Sequence, residues 1–201
     1  MPWGDSSMAH DFSGFDYIIQ PGWNNSGPEH WQSHWQQTLA ATRVANHDWG
    51  TPQLDDWLAA LDAAVASAAQ PVIVIAHSLG CATVAHYAAR YGNKLAGALL
   101  VAPADVERAG APVALQPFAP LPELALPFPA RVVASDSDPF SLPLRSARMA
   151  ALWQSPLHWL RDAGHVNVAS GHELWPDGLA HLAALLADIR QSARLRTPAC
   201  A

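Results

Sequence analysis

The stretch PVIVIAHSLG at residues 71–80 decides the fold class of this chain. Its apolar first half is typical of a strand that is covered on both faces of a parallel sheet. Ser78 follows at once between the small residues Ala76 and Gly80, and a helical pattern then runs over 81–91. A strand, a serine between small residues and a helix are the context of a nucleophile elbow, a sharp turn that exposes the serine hydroxyl.

The same pattern has a plainer interpretation, because a serine between a strand and a helix is often only an N-cap. The usual elbow has glycine on both sides, whereas Ala76 adds one methyl group. If the elbow forms, the free backbone N–H groups at the start of the helix point towards the group that the Ser78 hydroxyl attacks. The rest of the chain therefore decides between a capping and a nucleophilic role.

Strand and helix patterns alternate along the chain, which predicts a mostly parallel α/β sheet in a three-layer α/β/α sandwich. The six predicted strands cover residues 15–20, 43–46, 71–76, 95–102, 131–135 and 157–160. The predicted helices cover 28–42, 81–91, 142–153 and 175–191, and a further helix begins at 51–52.

The length of 201 residues suits a single domain over 1–201. We expect loose ends at 1–13 and 192–201, and a proline-rich irregular excursion at 103–129, near the strand tips.

Composition excludes several classes of function. The eleven lysines and arginines are scattered, so we expect no nucleic-acid surface. Two cysteines, Cys81 and Cys200, cannot build a disulfide framework or a zinc cluster. Residues 1–14 lack the pattern of a signal peptide, and no apolar run reaches the roughly 20 residues of a membrane span. We expect a cytoplasmic protein that does not enter a membrane.

A nucleophilic serine needs a base, and the base needs an orienting acid. In parallel α/β sheets the chemistry gathers at the carboxyl ends of the strands. Asp136 and Asp138 both follow the fifth strand, and we favour Asp138 because Pro139 restricts its backbone. Asp136 is better suited to bonding the turn backbone, and Asp105, after the preceding strand, is a third candidate.

Ten histidines are available as the base. His165 follows the sixth predicted strand, where the third member of such a triad belongs in the order Ser, Asp, His. His172 is the one serious competitor, and we expect His77 to point sideways from the elbow.

Two backbone N–H groups should stabilise the developing oxyanion. One is that of Leu79, at the start of the helix. We expect the other to be that of Trp23, in the loop 21–27, where Gly22 allows close approach of the backbone. The alternative is a simple glycine-rich turn that leads into a helix.

Four blocks of the sequence carry a family resemblance: residues 21–31, 76–80, 135–140 and 164–178. Together they resemble the small serine hydrolases of the retinoblastoma-binding-protein-nine type, a compact branch of the α/β-hydrolases. The resemblance implies a compact α/β-hydrolase fold with a minimal lid, no cofactor and no metal.

The resemblance also implies that Ser78, Asp138 and His165 are the catalytic residues, in agreement with their positions. We therefore predict a serine hydrolase that cleaves a carboxylic ester of a small-molecule acyl substrate, with amide or thioester cleavage as the runner-up. The alternative is a non-catalytic protein-binding module on a hydrolase scaffold.

Overall fold

Six parallel strands form one sheet in the computed structural model of the protein, which describes residues 11–196. The strands are β1 (Asp16–Gln20), β2 (Thr42–Arg43), β3 (Val72–His77), β4 (Gly97–Val101), β5 (Ala130–Ser135) and β6 (Leu157–Leu160). Their order in the sheet is β2-β1-β3-β4-β5-β6, and all pairs are parallel. This confirms the predicted α/β class and the number of strands.

Within residues 11–196, four α-helices lie between strands: α1 (Trp31–Thr38), α2 (Leu54–Ala66), α3 (Leu79–Tyr91) and α4 (Pro143–Leu152). A fifth, α5 (Leu179–Arg196), follows β6. Three short 3-10 helices cover Val113–Phe118, Val168–Ser170 and Pro176–Gly178.

The sheet separates two hydrophobic clusters, as alternation along buried parallel strands requires. On β3, Val74 and Ala76 belong to the cluster that contains residues of α2, α3 and α4. Ile73 and Ile75 point to the other face and belong to the cluster that contains residues of α1 and α5. Every residue of β3 and of its neighbour β4 is buried, so the strand that leads to Ser78 lies in the enclosed centre of the sheet.

Several predicted boundaries were wrong, most clearly those of α1 and β2. Helix α1 begins at Trp31 rather than residue 28, because His30 has an extended backbone and its side chain accepts a hydrogen bond from the Gln32 amide as an N-cap. It ends at Thr38 rather than residue 42, since Ala40 has a positive φ of 50°. Strand β2 is correspondingly shifted and shorter than the predicted 43–46.

The predicted loose C-terminal end is helical as far as Arg196, since α5 continues beyond residue 191. The remaining parts of the two predicted ends, 1–10 and 197–201, lie outside the described residues, and so does Cys200.

The segment 103–129 is irregular apart from its 3-10 helix, as the prolines predicted. It is anchored at several points, because Leu115, Phe118 and Leu121 are buried in the core and the Phe118 carbonyl accepts a hydrogen bond from His86 Nε2 at 2.9 Å. Within residues 11–196, no helix combines the length and the apolar character that crossing a bilayer requires.

Gly80 allows α3 to begin directly against the end of β1. A Cβ atom at this position would overlap the carbonyl oxygens of Gln20 and Pro21, 2.7 Å from the latter. Both are backbone atoms that cannot move aside independently, so the turn after β3 depends on a residue without a side chain.

We predict that Gly80→Ala lowers the free energy of unfolding by at least about 2 kcal/mol, because overpacking against backbone must displace a strand or a helix. Gly27→Ala is the matched control, since a Cβ atom there meets nothing within 4 Å. Urea titrations of the two variants measure the difference. If the two variants are equally stable, a Cβ atom fits at position 80 and the prediction is wrong.

Candidate active site

Ser78 lies at a strained turn between β3 and α3, with φ 56° and ψ −122°. This backbone region is costly for a residue other than glycine and is typical of functional turns. The Ser78 amide donates to the Val101 carbonyl at 3.0 Å, which ties the turn to β4. Cys81 is buried in the same turn, where burial raises the pKa of its thiol and keeps it in the unreactive neutral form.

Ser78, His165 and Asp138 form a continuous hydrogen-bonded chain. The distance from Ser78 Oγ to His165 Nε2 is 2.8 Å, and His165 Nδ1 lies 2.9 and 3.0 Å from the two Asp138 carboxylate oxygens. Because the carboxylate only accepts, Nδ1 carries the proton of a neutral imidazole and Nε2 accepts from the Ser78 hydroxyl. The arrangement can therefore remove a proton from Ser78 and hold the resulting imidazolium.

The other candidate residues are directed elsewhere. The Asp136 carboxylate accepts from the Asp162 amide at 2.8 Å, which is the backbone role expected of it. Asp105 pairs with Arg145, at 3.1 Å between Oδ1 and Nε. His172 lies with its Nδ1 3.1 Å from Ser170 Oγ and does not contact Ser78.

Three consecutive side chains at the end of β5 fix the loop that carries His165. The oxygens of residues 135–137 accept hydrogen bonds from the backbone amides of residues 162–164, at 2.8 to 3.1 Å. The next residue along this turn, Asp138, then meets His165. One segment thus positions both the Asp138 carboxylate and the His165 imidazole.

A second set of contacts holds the opposite side of this loop, and the sequence did not predict it. Trp31 Nε1 donates to the Val166 carbonyl at 2.9 Å, and His77 Nε2 donates to the His165 carbonyl at 2.9 Å. His77 thus turns sideways from the elbow towards the His165 backbone. Its ring also meets that of His30 edge-on, with 4.9 Å between centroids.

Burial keeps His30 and His77 neutral. Desolvation, reinforced by the charges of Arg43, His165 and His172, lowers the pKa of His30 to about 4. Burial also holds the pKa of His77 well below its usual range. A neutral His77 donates from Nε2 to the carbonyl without adding a positive charge behind His165.

A cavity of about 310 Å³ opens beside Ser78. Gly22, Trp23 and Leu79 line one side of it, next to the Ser78 hydroxyl. The Leu79 amide begins α3 and so has no acceptor within the helix. The Trp23 amide donates to no protein acceptor within residues 11–196, whereas its indole Nε1 donates to the Gly50 carbonyl at 2.8 Å.

Gln32, fully buried on α1, supports the loop that carries Trp23. Its Nε2 donates to the carbonyls of Gln20, at 3.3 Å, and Ile75, at 3.1 Å, and its Oε1 accepts from Ser26 Oγ at 2.7 Å. This amide therefore joins the ends of β1 and β3 to the loop between β1 and α1. The described part of the chain contains no cluster of histidine, cysteine and acidic residues that could hold a metal ion.

The geometry agrees with the result of a family comparison. A family model described as serine hydrolase matches residues 17–184. The chain belongs to the serine hydrolase family. A comparison with curated protein sequences found no match.

Solved structures agree with this membership. One described as a YdeN-like hydrolase from Pectobacterium atrosepticum is 31% identical, with a TM-score of 0.78, over 87% of this chain and 92% of that chain. The ydeN gene product of B. subtilis is 21% identical, with a TM-score of 0.73, over 87% and 100% of the two chains. A thermophilic esterase from Thermogutta terrifontis is 16% identical, with a TM-score of 0.64, over 88% and 90%. The last two share the fold with this member of the serine hydrolase family.

We predict that Trp31→Phe slows the reaction of Ser78 with a fluorophosphonate probe, because the His165 loop loses a fixing hydrogen bond. It should also lower the free energy of unfolding by about 1–3 kcal/mol, since the Val166 carbonyl is left buried and unpaired. The matched control is Trp35→Phe, which removes an indole N–H bonded at 3.3 Å to the Leu174 carbonyl and not to the carbonyls of His165 or Val166. Equal labelling rates of the two folded variants would contradict the positioning role of Trp31.

We predict that acid weakens the fold through His30. The unfolded residue binds a proton below its ordinary pKa of 6.5, whereas the folded residue does so only near 4, so stability falls as the pH drops through this window. The loss from His30 alone between pH 7.5 and 5 is about 2 kcal/mol.

His30→Asn tests this prediction, because asparagine retains an N-cap acceptor for the Gln32 amide and does not titrate. Urea titrations at the two pH values should show a smaller loss of stability in the variant than in the wild type. The same loss in both proteins would contradict the assignment.

Proposed function

We propose that the chain hydrolyses carboxylic esters of small acyl substrates through Ser78, His165 and Asp138. The observation that carries this proposal is the unbroken chain of hydrogen bonds from the Ser78 hydroxyl to the Asp138 carboxylate beside an open cavity. Membership of the serine hydrolase family supports it. The sequence blocks 21–31 and 164–178 further favour a member of the retinoblastoma-binding-protein-nine type.

Acylation begins when the substrate carbonyl lies in the cavity above Ser78. His165 Nε2 takes the hydroxyl proton as Oγ attacks the carbonyl carbon, and Asp138 stabilises the imidazolium and fixes the orientation of the ring. The tetrahedral oxyanion accepts hydrogen bonds from the amides of Leu79 and Trp23. Such preorganised donors typically contribute about 10²- to 10³-fold in rate.

The intermediate then collapses, and the imidazolium returns its proton to the leaving alcohol. Water next enters the vacated part of the cavity, His165 deprotonates it, and hydroxide attacks the acyl-enzyme carbonyl. Collapse of the second tetrahedral intermediate releases the acid and restores the Ser78 hydroxyl. Amides and thioesters would pass through the same acyl-enzyme and belong in the same substrate screen.

We predict that Ser78→Ala abolishes both fluorophosphonate labelling and esterase activity. His165→Gln should lower the rate at least about 10³-fold, and Asp138→Asn about 10³- to 10⁴-fold through loss of the orienting carboxylate. His172→Gln is the control, since this histidine lies outside the cavity, and it should retain activity. Hydrolysis of 4-nitrophenyl acetate, measured by release of 4-nitrophenolate, reports all four variants.

The activity should also fall on acidification, because protonated His165 cannot accept the Ser78 proton. An activity that does not fall on acidification, or an inactive but well-folded wild type that no probe labels, would contradict the proposal. The second result would favour a binding module built on the same scaffold.

A further inference from the structure

Within residues 11–196, one residue supplies the only fixed charge on the wall of the cavity beside Ser78. Arg108 lines this cavity, and none of the lining residues is an aspartate or a glutamate. The neighbouring His30 and His77 are neutral because burial lowers their pKa values. The remaining polar side chains of the wall include the amides of Asn24, Asn25 and Asn167.

The charge of Arg108 is not neutralised by a carboxylate among residues 11–196. Its Nη1 donates to the backbone carbonyl of Asp105 at 3.0 Å, which fixes the guanidinium. The carboxylates of Asp105 and Glu107 are both bound to Arg145, and neither lines the cavity. Several N–H donors of Arg108 therefore remain for a ligand.

Arg108 is also close to the reacting groups. Its guanidinium carbon lies 5.3 Å from the centre of the Phe140 ring, and that ring lies 4.6 Å from the centre of the His165 ring. A single aromatic side chain thus separates the guanidinium from the imidazole. A short substrate can span from Ser78 to Arg108, and the apolar residues Pro112 and Leu115 line the same cavity.

We propose that Arg108 binds a carboxylate of the substrate, so that the enzyme prefers small esters bearing an anionic group a few bonds from the scissile carbonyl. The inference rests on the proposed esterase function. The planar guanidinium offers paired N–H donors that match a carboxylate, whereas a lone ammonium would act only as a point charge. Among residues 11–196 no carboxylate neutralises this cation, so a carboxylate of the substrate can take that place.

The test compares neutral and anionic esters in two pairs. 4-Nitrophenyl acetate and mono-4-nitrophenyl glutarate differ in charge on the acyl side, and phenyl acetate and 4-acetoxybenzoate differ on the alcohol side. In at least one pair, Arg108→Gln should lower kcat/KM for the anionic ester about 10- to 100-fold more than for the neutral ester. For each ester, kcat/KM of the variant is divided by kcat/KM of the wild type, so that differences in the intrinsic reactivity of the esters cancel.

Two further variants separate local binding from a general effect of charge. Arg108→Lys should retain part of the preference, because it keeps the charge and loses the paired donors. Arg194→Gln removes the same charge from an exposed position on α5. It should give the same ratio of variant to wild-type kcat/KM for the neutral and the anionic ester of each pair.

Two outcomes would overturn the inference. In the first, Arg108→Gln changes kcat/KM by the same factor for the neutral and the anionic ester of both pairs, while Ser78-dependent hydrolysis persists. Arg108 then does not bind a carboxylate, and the esterase function stands. In the second, the wild type hydrolyses none of the four esters through Ser78. The proposed function is then wrong, and so is the inference that rests on it.

Discussion

The strained backbone of Ser78 is the constraint on which the rest of the structure depends. A positive φ at a residue with a side chain persists only where the surroundings determine it. Here β3 enters the turn fully buried, β4 accepts the Ser78 amide through the Val101 carbonyl, and Gly80 lets α3 start against the end of β1. The hydrophobic sheet thus stabilises a conformation that exposes one hydroxyl at its carboxyl edge.

The loop that carries His165 is held from two directions. On one side, residues 135–137 accept the backbone amides of residues 162–164. On the other, Trp31 and His77 donate to the carbonyls of Val166 and His165. Both N–H and C=O groups of the loop are therefore satisfied by the scaffold. The imidazole can meet Ser78 without the loop having to order at each turnover, which is the preorganisation that catalysis requires.

Much of this arrangement could be predicted from the sequence, because local patterns determine it. Ser78 follows a continuous apolar run, and Asp138 and His165 each follow a later predicted strand, in the chain order typical of such sites. Asp138 could be preferred over Asp136 as the triad acid because a proline follows it. In the structure the Asp136 carboxylate accepts a hydrogen bond from a backbone amide instead.

The supporting contacts could not be predicted, since they join distant parts of the chain. The bond from Trp31 to Val166 spans 135 residues of sequence, and Gln32 is fully buried although its residue type usually lies at the surface. The early end of α1 depends on the positive φ of Ala40, a residue that usually favours helix. Tertiary packing overrides local propensity at such positions.

Hydrolysis through Ser78 requires a covalent acyl intermediate on this residue, formed with the help of His165. The most direct measurement mixes the enzyme with 4-nitrophenyl acetate, quenches the reaction with acid during turnover, and locates the acetyl group by fragment mass spectrometry. We expect acetylation at Ser78, with no adduct in His165→Gln under the same conditions. Turnover accompanied by an unmodified Ser78, or by an adduct on another residue such as Cys81, would contradict it.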